Sequence, residues 1–154
     1  MPILAFNISI YKNYIHVLHI EHIGIAVASL EASIPLFEQL LNVPCYKKEK
    51  VASEGVETAF FQTGNSKVEL LEATHEQSPI AKFLAKKGAG IHHIAFEVEN
   101  IEAEMKRLSA LGFELLQETP KRGADNKWIC FLHPKTTNGV LIELCQSIRL
   151  DTEG

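Results

Sequence analysis

The chain has 154 residues and a formal net charge of −4, from 15 Lys and Arg against 19 Asp and Glu. A hydrophobic share of 46% and a charged share of 22% are those of an ordinary globular domain and exclude a mainly disordered, collagen-like or coiled-coil chain. The mild acidity argues against the broad basic face of a non-specific nucleic-acid binder, and no stretch approaches the roughly 18 consecutive apolar residues that would cross a bilayer. Cys45, Cys130 and Cys145 form no CxxC and leave one thiol unpaired, so no disulfide framework is expected and a reducing, cytoplasmic setting is.

Residues 1–18 are rich in Ile, Asn and Tyr, hold no acidic residue and lack the Arg- and Ser-rich pattern of a transit peptide. They read as an extension without an assigned role. The strand-like run His22-Ile23-Gly24-Ile25-Ala26-Val27 comes next, and it reappears as His93-Ile94-Ala95-Phe96-Glu97-Val98. Seven residues past each histidine stands a helix-capping residue, Ser29 or Asn100. A helical period follows each cap, through Ile34, Phe37 and Leu41 in one copy and Ile101, Met105 and Leu108 in the other. Pro35 is expected to delay the first helix, with regular structure from about Ser33; Asn42 and Gly112 are the expected stops.

Strands are expected after the first helix at Cys45–Val51, Val56–Thr63 and Ser66–Leu71, the last two joined at Gly64-Asn65. After the second helix they are expected at Phe113–Glu118, Lys127–Leu132 and Gly139–Cys145. Between the halves, Ser78 as N-cap, Pro79 at the first helical position and Gly88 past the end predict a short linking helix over 78–88. The expected fold is therefore α+β: two tandem βαβββ modules, about 19–74 and 90–146, followed by a tail at 147–154. Neither module is large enough to bury a good core alone.

Period-two alternation puts Ile23, Ile25 and Val27 on one face of the first strand and His22, Gly24 and Ala26 on the other. His93, Ala95 and Glu97 repeat the second set. Glu69 and Glu143 each stand between aliphatic neighbours in late strands, 47 and 50 residues after their histidines. A carboxylate buried in a strand is costly unless it is paired or bound to a metal. One His and one Glu per half, related by the repeat, make His22, Glu69, His93 and Glu143 a candidate divalent-metal site. His92 falls on the opposite parity and is expected to be structural. His16, His19, His75 and His133 have no counterpart in the repeat and are left unassigned.

These features resemble the vicinal oxygen chelate (glyoxalase) superfamily, whose members fold paired βαβββ modules into a curved mixed sheet around a divalent metal. The Ser78-Pro79-Ile80-Ala81-Lys82-Phe83-Leu84 linker, the His92-His93 doublet, and Phe131–Lys135 with Gly139–Leu144 narrow the resemblance to its methylmalonyl-CoA epimerase family. The resemblance covers 19–146. It implies metal ligation by His22, Glu69, His93 and Glu143, often of cobalt(II) although other divalent ions are compatible. It also implies interconversion of (R)- and (S)-methylmalonyl-CoA through a metal-stabilised enolate, and a homodimer.

Glu143 is the implied catalytic base, with its basicity lowered by the cation. A second base belongs on the opposite face, where some family members carry Glu at the position matched by Thr58, a poor base. Glu57 and Glu54 are the nearby acids, each of which also reads as solvated surface. Coenzyme A is anionic, so Lys121, Arg122 and Lys135, with Lys127 near them, are the candidate phosphate-binding cations; ordinary solvated lysines are the alternative. The competing readings are a glyoxalase-I-type lyase and a metal-free small-ligand-binding module of the same superfamily. Relatives occur in bacterial cytoplasm and in the mitochondrial matrix.

Overall fold

The structure, a computed structural model, describes residues 17–149; residues 1–16 and 150–154, with His16, most of the extension and part of the tail, lie outside the described residues. In chain order the elements are β1 (Val17–Ala26), α1 (Leu30–Leu41), β2 (Lys47–Val51), β3 (Val56–Thr63), β4 (Ser66–Ala73), α2 (Pro79–Lys87), β5 (Gly90–Val98), α3 (Ile101–Ala110), β6 (Lys121–Arg122), β7 (Lys127–Leu132) and β8 (Ile142–Ser147). Single 3-10 turns lie at Ala52–Glu54 and Pro134–Thr136.

Helix α1 starts at Leu30, earlier than the proline suggested. The Ser29 hydroxyl accepts from Ala32 N–H at 3.2 Å, and the Leu30 N–H donates to the Glu72 carboxylate at 2.5 Å, so two of the free donors at the helix start are satisfied. Pro35 sits in the second turn, where its ring costs only the bond to the Glu31 carbonyl. Asn42 ends the helix in the left-handed conformation, at φ 53°.

The strand expected over Phe113–Glu118 is absent. Only one bridge forms there, between Leu115 and Leu132. The reason is local competition: Leu116 N–H donates to the Phe131 carbonyl at 2.8 Å, but the Phe131 N–H is taken by the Gln117 side chain at 2.7 Å. A side chain replaces the next rung, the ladder stops, and the short β6 becomes the edge strand. The last strand begins at Ile142 rather than Gly139, because the 3-10 turn and Gly139 at φ 84° occupy the approach to it.

The eight strands form one mixed sheet in the order β2-β3-β4-β1-β5-β8-β7-β6. Within each module the first and last strands pair in parallel, β1 with β4 and β5 with β8; the modules meet through the antiparallel β1–β5 pair. The order reads the same outward from that central pair, so a pseudo-twofold relates the halves. This is the glyoxalase-like α+β architecture.

Helices α1 and α3 cover the convex side. Val27, Leu30, Ala59, Phe61 and Leu70 close one core with α1, and Val98, Met105, Leu108, Cys130 and Leu144 the other with α3. Helix α2 instead packs Ile80 on the concave side against Ala26, Val56 and Leu71.

Ser78, fully buried, caps α2 through its hydroxyl, which accepts from Ala81 N–H at 3.0 Å. Ser78→Ala should lower unfolding stability by about 1 kcal/mol, read as a lower urea midpoint at unchanged slope; an unchanged midpoint would remove this cap from the folding account.

Candidate metal and active site

The register places the four polar residues together. In β1–β4 Gly24 lies beside Glu69, and in β5–β8 Ala95 lies beside Glu143. Each glutamate therefore flanks the residue two beyond its own module's histidine. Across the central pair His22 opposes Ala95 and Gly24 opposes His93. The small residues make room for the rings: a Cβ on Gly24 would come within 2.2 Å of His93 Cε1.

The central pair is broken by three register shifts, and the two beside the histidines are equivalent. Ile20 pairs with Phe96 and His22 with Ala95, so Glu21 is an extra residue in β1; Gly24 pairs with His93 and Ile25 with Ile91, so His92 is an extra residue in β5. A bulge turns its extra side chain out of strict alternation. Glu21 thereby reaches the Nδ1 of His22 with its carboxylate, and His92 Nδ1 lies 2.9 Å from His93 Nδ1. With Nδ1 of each ring held by the preceding residue, the Nε2 atoms face each other at 2.9 Å. Period-two counting put His92 against the helices in a structural role. It does contact Phe83 of α2, with ring centroids 5.0 Å apart, but the bulge also makes it a direct partner of His93.

Glu143 Oε2 lies 3.2 Å from His93 Nε2 and 3.8 Å from His22 Nε2, and Glu69 Oε1 lies 3.5 Å from His22 Nδ1. The four residues fall into two clusters that share His22: one with His93 and Glu143, the other with Glu21 and Glu69. All five are buried. Burial disfavours a charged His22, yet the Glu69 and Glu143 carboxylates, with Glu21, raise its pKa to about 9. Burial likewise pushes Glu69 up, whereas at Glu143 the two imidazoles outweigh burial and bring it below the ordinary carboxylate range.

The donor set suits a divalent cation. Glu21 is neutralised from behind by Lys67 Nζ at 2.6 Å and sits near a pKa of about 2. Glu143 beside the paired Nε2 atoms and Glu69 beside His22 Nδ1 are then two buried carboxylates, whose charge of −2 when both are ionised one such ion would balance.

A cavity opens beside these groups, lined also by Glu54, Thr58, Ile129 and Phe131. It is closed from one side by the β6–β7 hairpin, whose Asp125 and Asn126 take φ of 57° and 54°. Asp125 binds Lys67 and, at 3.1 Å, Lys47; its N–H donates to Glu49 at 2.9 Å. This ties the far edge of the second module across the concave face to the first.

Thr58 is 1% exposed on the cavity wall. Glu57 is not among the cavity-lining residues and approaches Lys48 at 4.0 Å. The candidate phosphate-binding cations take separate partners. Lys121 Nζ lies 2.7 Å from Glu54, Arg122 stacks 5.0 Å from the Trp128 ring, and Lys135 pairs with Glu114. Lys127 is buried and contacts Glu97 at 3.2 Å. The Gly123 N–H donates to the Lys127 carbonyl within the hairpin. Of the unassigned histidines, His133 Nδ1 accepts from Lys135 N–H at the 3-10 turn, and His75 packs on Gly55.

Sequence reasoning missed Glu21, Lys67 and the contact role of His92. The available signal was the polar residue immediately before each repeat histidine, which alternation alone assigns to the wrong face.

A sequence model of the Glyoxalase/Bleomycin resistance protein/Dioxygenase superfamily matches residues 21–131. An ethylmalonyl-CoA/methylmalonyl-CoA epimerase of Cereibacter sphaeroides is 43% identical over 129 residues, covering 82% of this chain and 96% of its own. The mitochondrial methylmalonyl-CoA epimerase of Homo sapiens is 40% identical over 129 residues, covering 83% of this chain and 73% of its own. Among solved structures, the Streptomyces coelicolor methylmalonyl-CoA epimerase variant in complex with 2-nitronate-propionyl-CoA superposes with a TM-score of 0.82 at 35% identity, over 87% of this chain and all of that one. With a shared fold and this level of identity along most of its length, the chain belongs to the methylmalonyl-CoA epimerase family of the glyoxalase superfamily.

Proposed function

We propose that this protein is a metal-dependent epimerase that interconverts (R)- and (S)-methylmalonyl-CoA by removing and returning the α-proton. The observation that carries this reading is the buried convergence of His22, His93 and Glu143 on one cavity, with Glu69 beside His22, in a chain whose relatives bear that activity in their names. His22, Glu69, His93 and Glu143 would hold the divalent ion, for which cobalt(II) is our expectation. When bound, the ion would lower the cost of negative charge developing on the thioester and carboxylate oxygens of the substrate.

The chain's own residues supply the rest. Glu21 and His92 hold the Nδ1 side of each imidazole and so fix which nitrogen faces the cavity. Ile129 and Phe131 form an apolar wall, where charge on the reacting carbon is poorly screened by water and fixed donors act more strongly. Glu143, whose carboxyl is held ionised beside the two imidazoles, takes or returns the proton on one face of the α-carbon. Arg122 and Lys135 are the exposed cations offered to the phosphates of coenzyme A.

Cobalt-loaded protein given either epimer in D₂O should invert it and place deuterium at the α-carbon. Turnover of a glutathione hemithioacetal without such exchange would replace this reading by the lyase. His93→Ala should abolish bound metal in dialysed protein. His92→Ala and Glu21→Gln should weaken metal affinity by about 10- to 100-fold; affinities equal to wild type would show that the bulged neighbours do not orient the ligands. Glu143→Gln should slow inversion by about 10²-fold or more while changing substrate affinity far less, and a wild-type rate would remove Glu143 as a base.

A further inference from the structure

Inversion at carbon needs a proton taken from one face and one delivered to the other, so Glu143 has to have a counterpart. Among the described residues three carboxylates line the cavity: Glu69, Glu143 and Glu54. The first two belong to the metal-ligand set. Glu49 shares the concave face with Thr58 but is committed to Lys47 at 3.0 Å and to the Asp125 N–H. The Thr58 hydroxyl is too weakly basic to accept a proton from carbon. We propose that Glu54 is the second acid–base residue of this site and that Lys121 is its positioning residue; the proposal rests on the epimerase reading above.

Three observations support it beyond the cavity wall. The first is the state of the carboxylate. Glu54 Oε1 is buried, and Lys121 Nζ stands 2.7 Å away, but off the alignment of a hydrogen bond, so a lone pair is left uncommitted. The second is the rigidity of its support. Glu54 ends a 3-10 turn closed by Gly55 N–H to the Ala52 carbonyl at 3.1 Å and pinned by Thr74 N–H to the Gly55 carbonyl at 2.9 Å. Gly55 has φ +61° and packs so tightly that a Cβ there would lie 2.7 Å from His75 and Ser78.

The third is its direction of approach. In the sheet order Glu54 comes from the β2–β3 connection of the first module and Glu143 from β8 of the second, with the strands of His22 and His93 between them. A carbon held over the paired imidazoles would then meet one carboxylate carried by the first module and one carried by the second.

The step balances as follows. Glu143, ionised at the start, accepts the α-proton of one epimer, the C–H bond breaks, and its electron pair moves into the thioester to give the enolate. Glu54, carrying a proton, donates to the opposite face, the new C–H bond forms, and the electron pair returns. Glu143 ends protonated and Glu54 ionised, and exchange with water or turnover of the other epimer resets them. Lys121, reaching over from β6, holds the carboxylate in place.

The test uses cobalt-loaded full-length protein with each epimer separately in D₂O. Glu54→Gln should lose inversion by about 10²- to 10⁴-fold, yet still wash deuterium with retention into the one epimer whose proton faces Glu143, at unchanged cobalt content and melting temperature. Lys121→Met, which leaves the carboxylate without its cation, should keep exchange at both epimers and slow inversion less. Glu54→Gln that inverts within about threefold of wild type, or that loses exchange at both epimers, overturns the assignment, because a single remaining base still has to serve one face. Equal losses in the two variants make the pair a structural clasp and overturn it as well. Wild-type protein that neither exchanges nor inverts is a different result: it overturns the epimerase reading itself.

Discussion

The structure turns on the antiparallel contact between β1 and β5, where two imidazoles from different modules present Nε2 atoms 2.9 Å apart. Nothing in a regular ladder would hold them so. Each histidine is preceded by an extra residue that the ladder skips, and that residue occupies Nδ1. The bulges do for the rings what a carboxylate or carbonyl partner does in many metal sites: they fix the orientation in which the other nitrogen is offered. Because the pseudo-twofold passes between β1 and β5, one local device used twice creates a site that neither module contains.

Charge decides what such a site can hold. Three carboxylates around two buried imidazoles would be prohibitive without compensation. One is answered by Lys67, itself tied to Asp125 and pushed above the ordinary lysine range by these acids despite its burial. The remaining pair keeps His22 protonated when no cation is present. The same network closes the cavity, since Asp125 belongs to the hairpin that crosses from the far edge of the second module. Electrostatic neutrality behind the histidines and enclosure in front of them thus share residues.

Glu54 and Lys121 belong to the same crossing. They join the β2–β3 turn to β6, the two regions most distant in the order of strands, which only the curvature of the sheet brings together. A site assembled this way has an asymmetric rim on a symmetric frame. One flank offers Glu143 beside the two imidazoles, and the other offers Glu54 beside Lys121. That asymmetry suits a reaction in which the two faces of one carbon are treated by different groups.

The sequence by itself determined the duplication, the caps at Ser29, Ser78 and Asn100, the extent of β3 and β7, and the four polar residues at equivalent positions. These depend on period, on capping chemistry and on the cost of an unpaired buried charge, all of which are local or repeat along the chain. Only the tertiary structure decided the orientation of Glu21 and His92, because a bulge is a property of two strands and appears when β1 meets β5. It also decided that Gln117 would take the Phe131 N–H and end a strand, and that Lys121 would turn to Glu54 rather than stand with Arg122 and Lys135. Those outcomes rest on contacts between residues far apart in the chain, whose energies no period or spacing encodes.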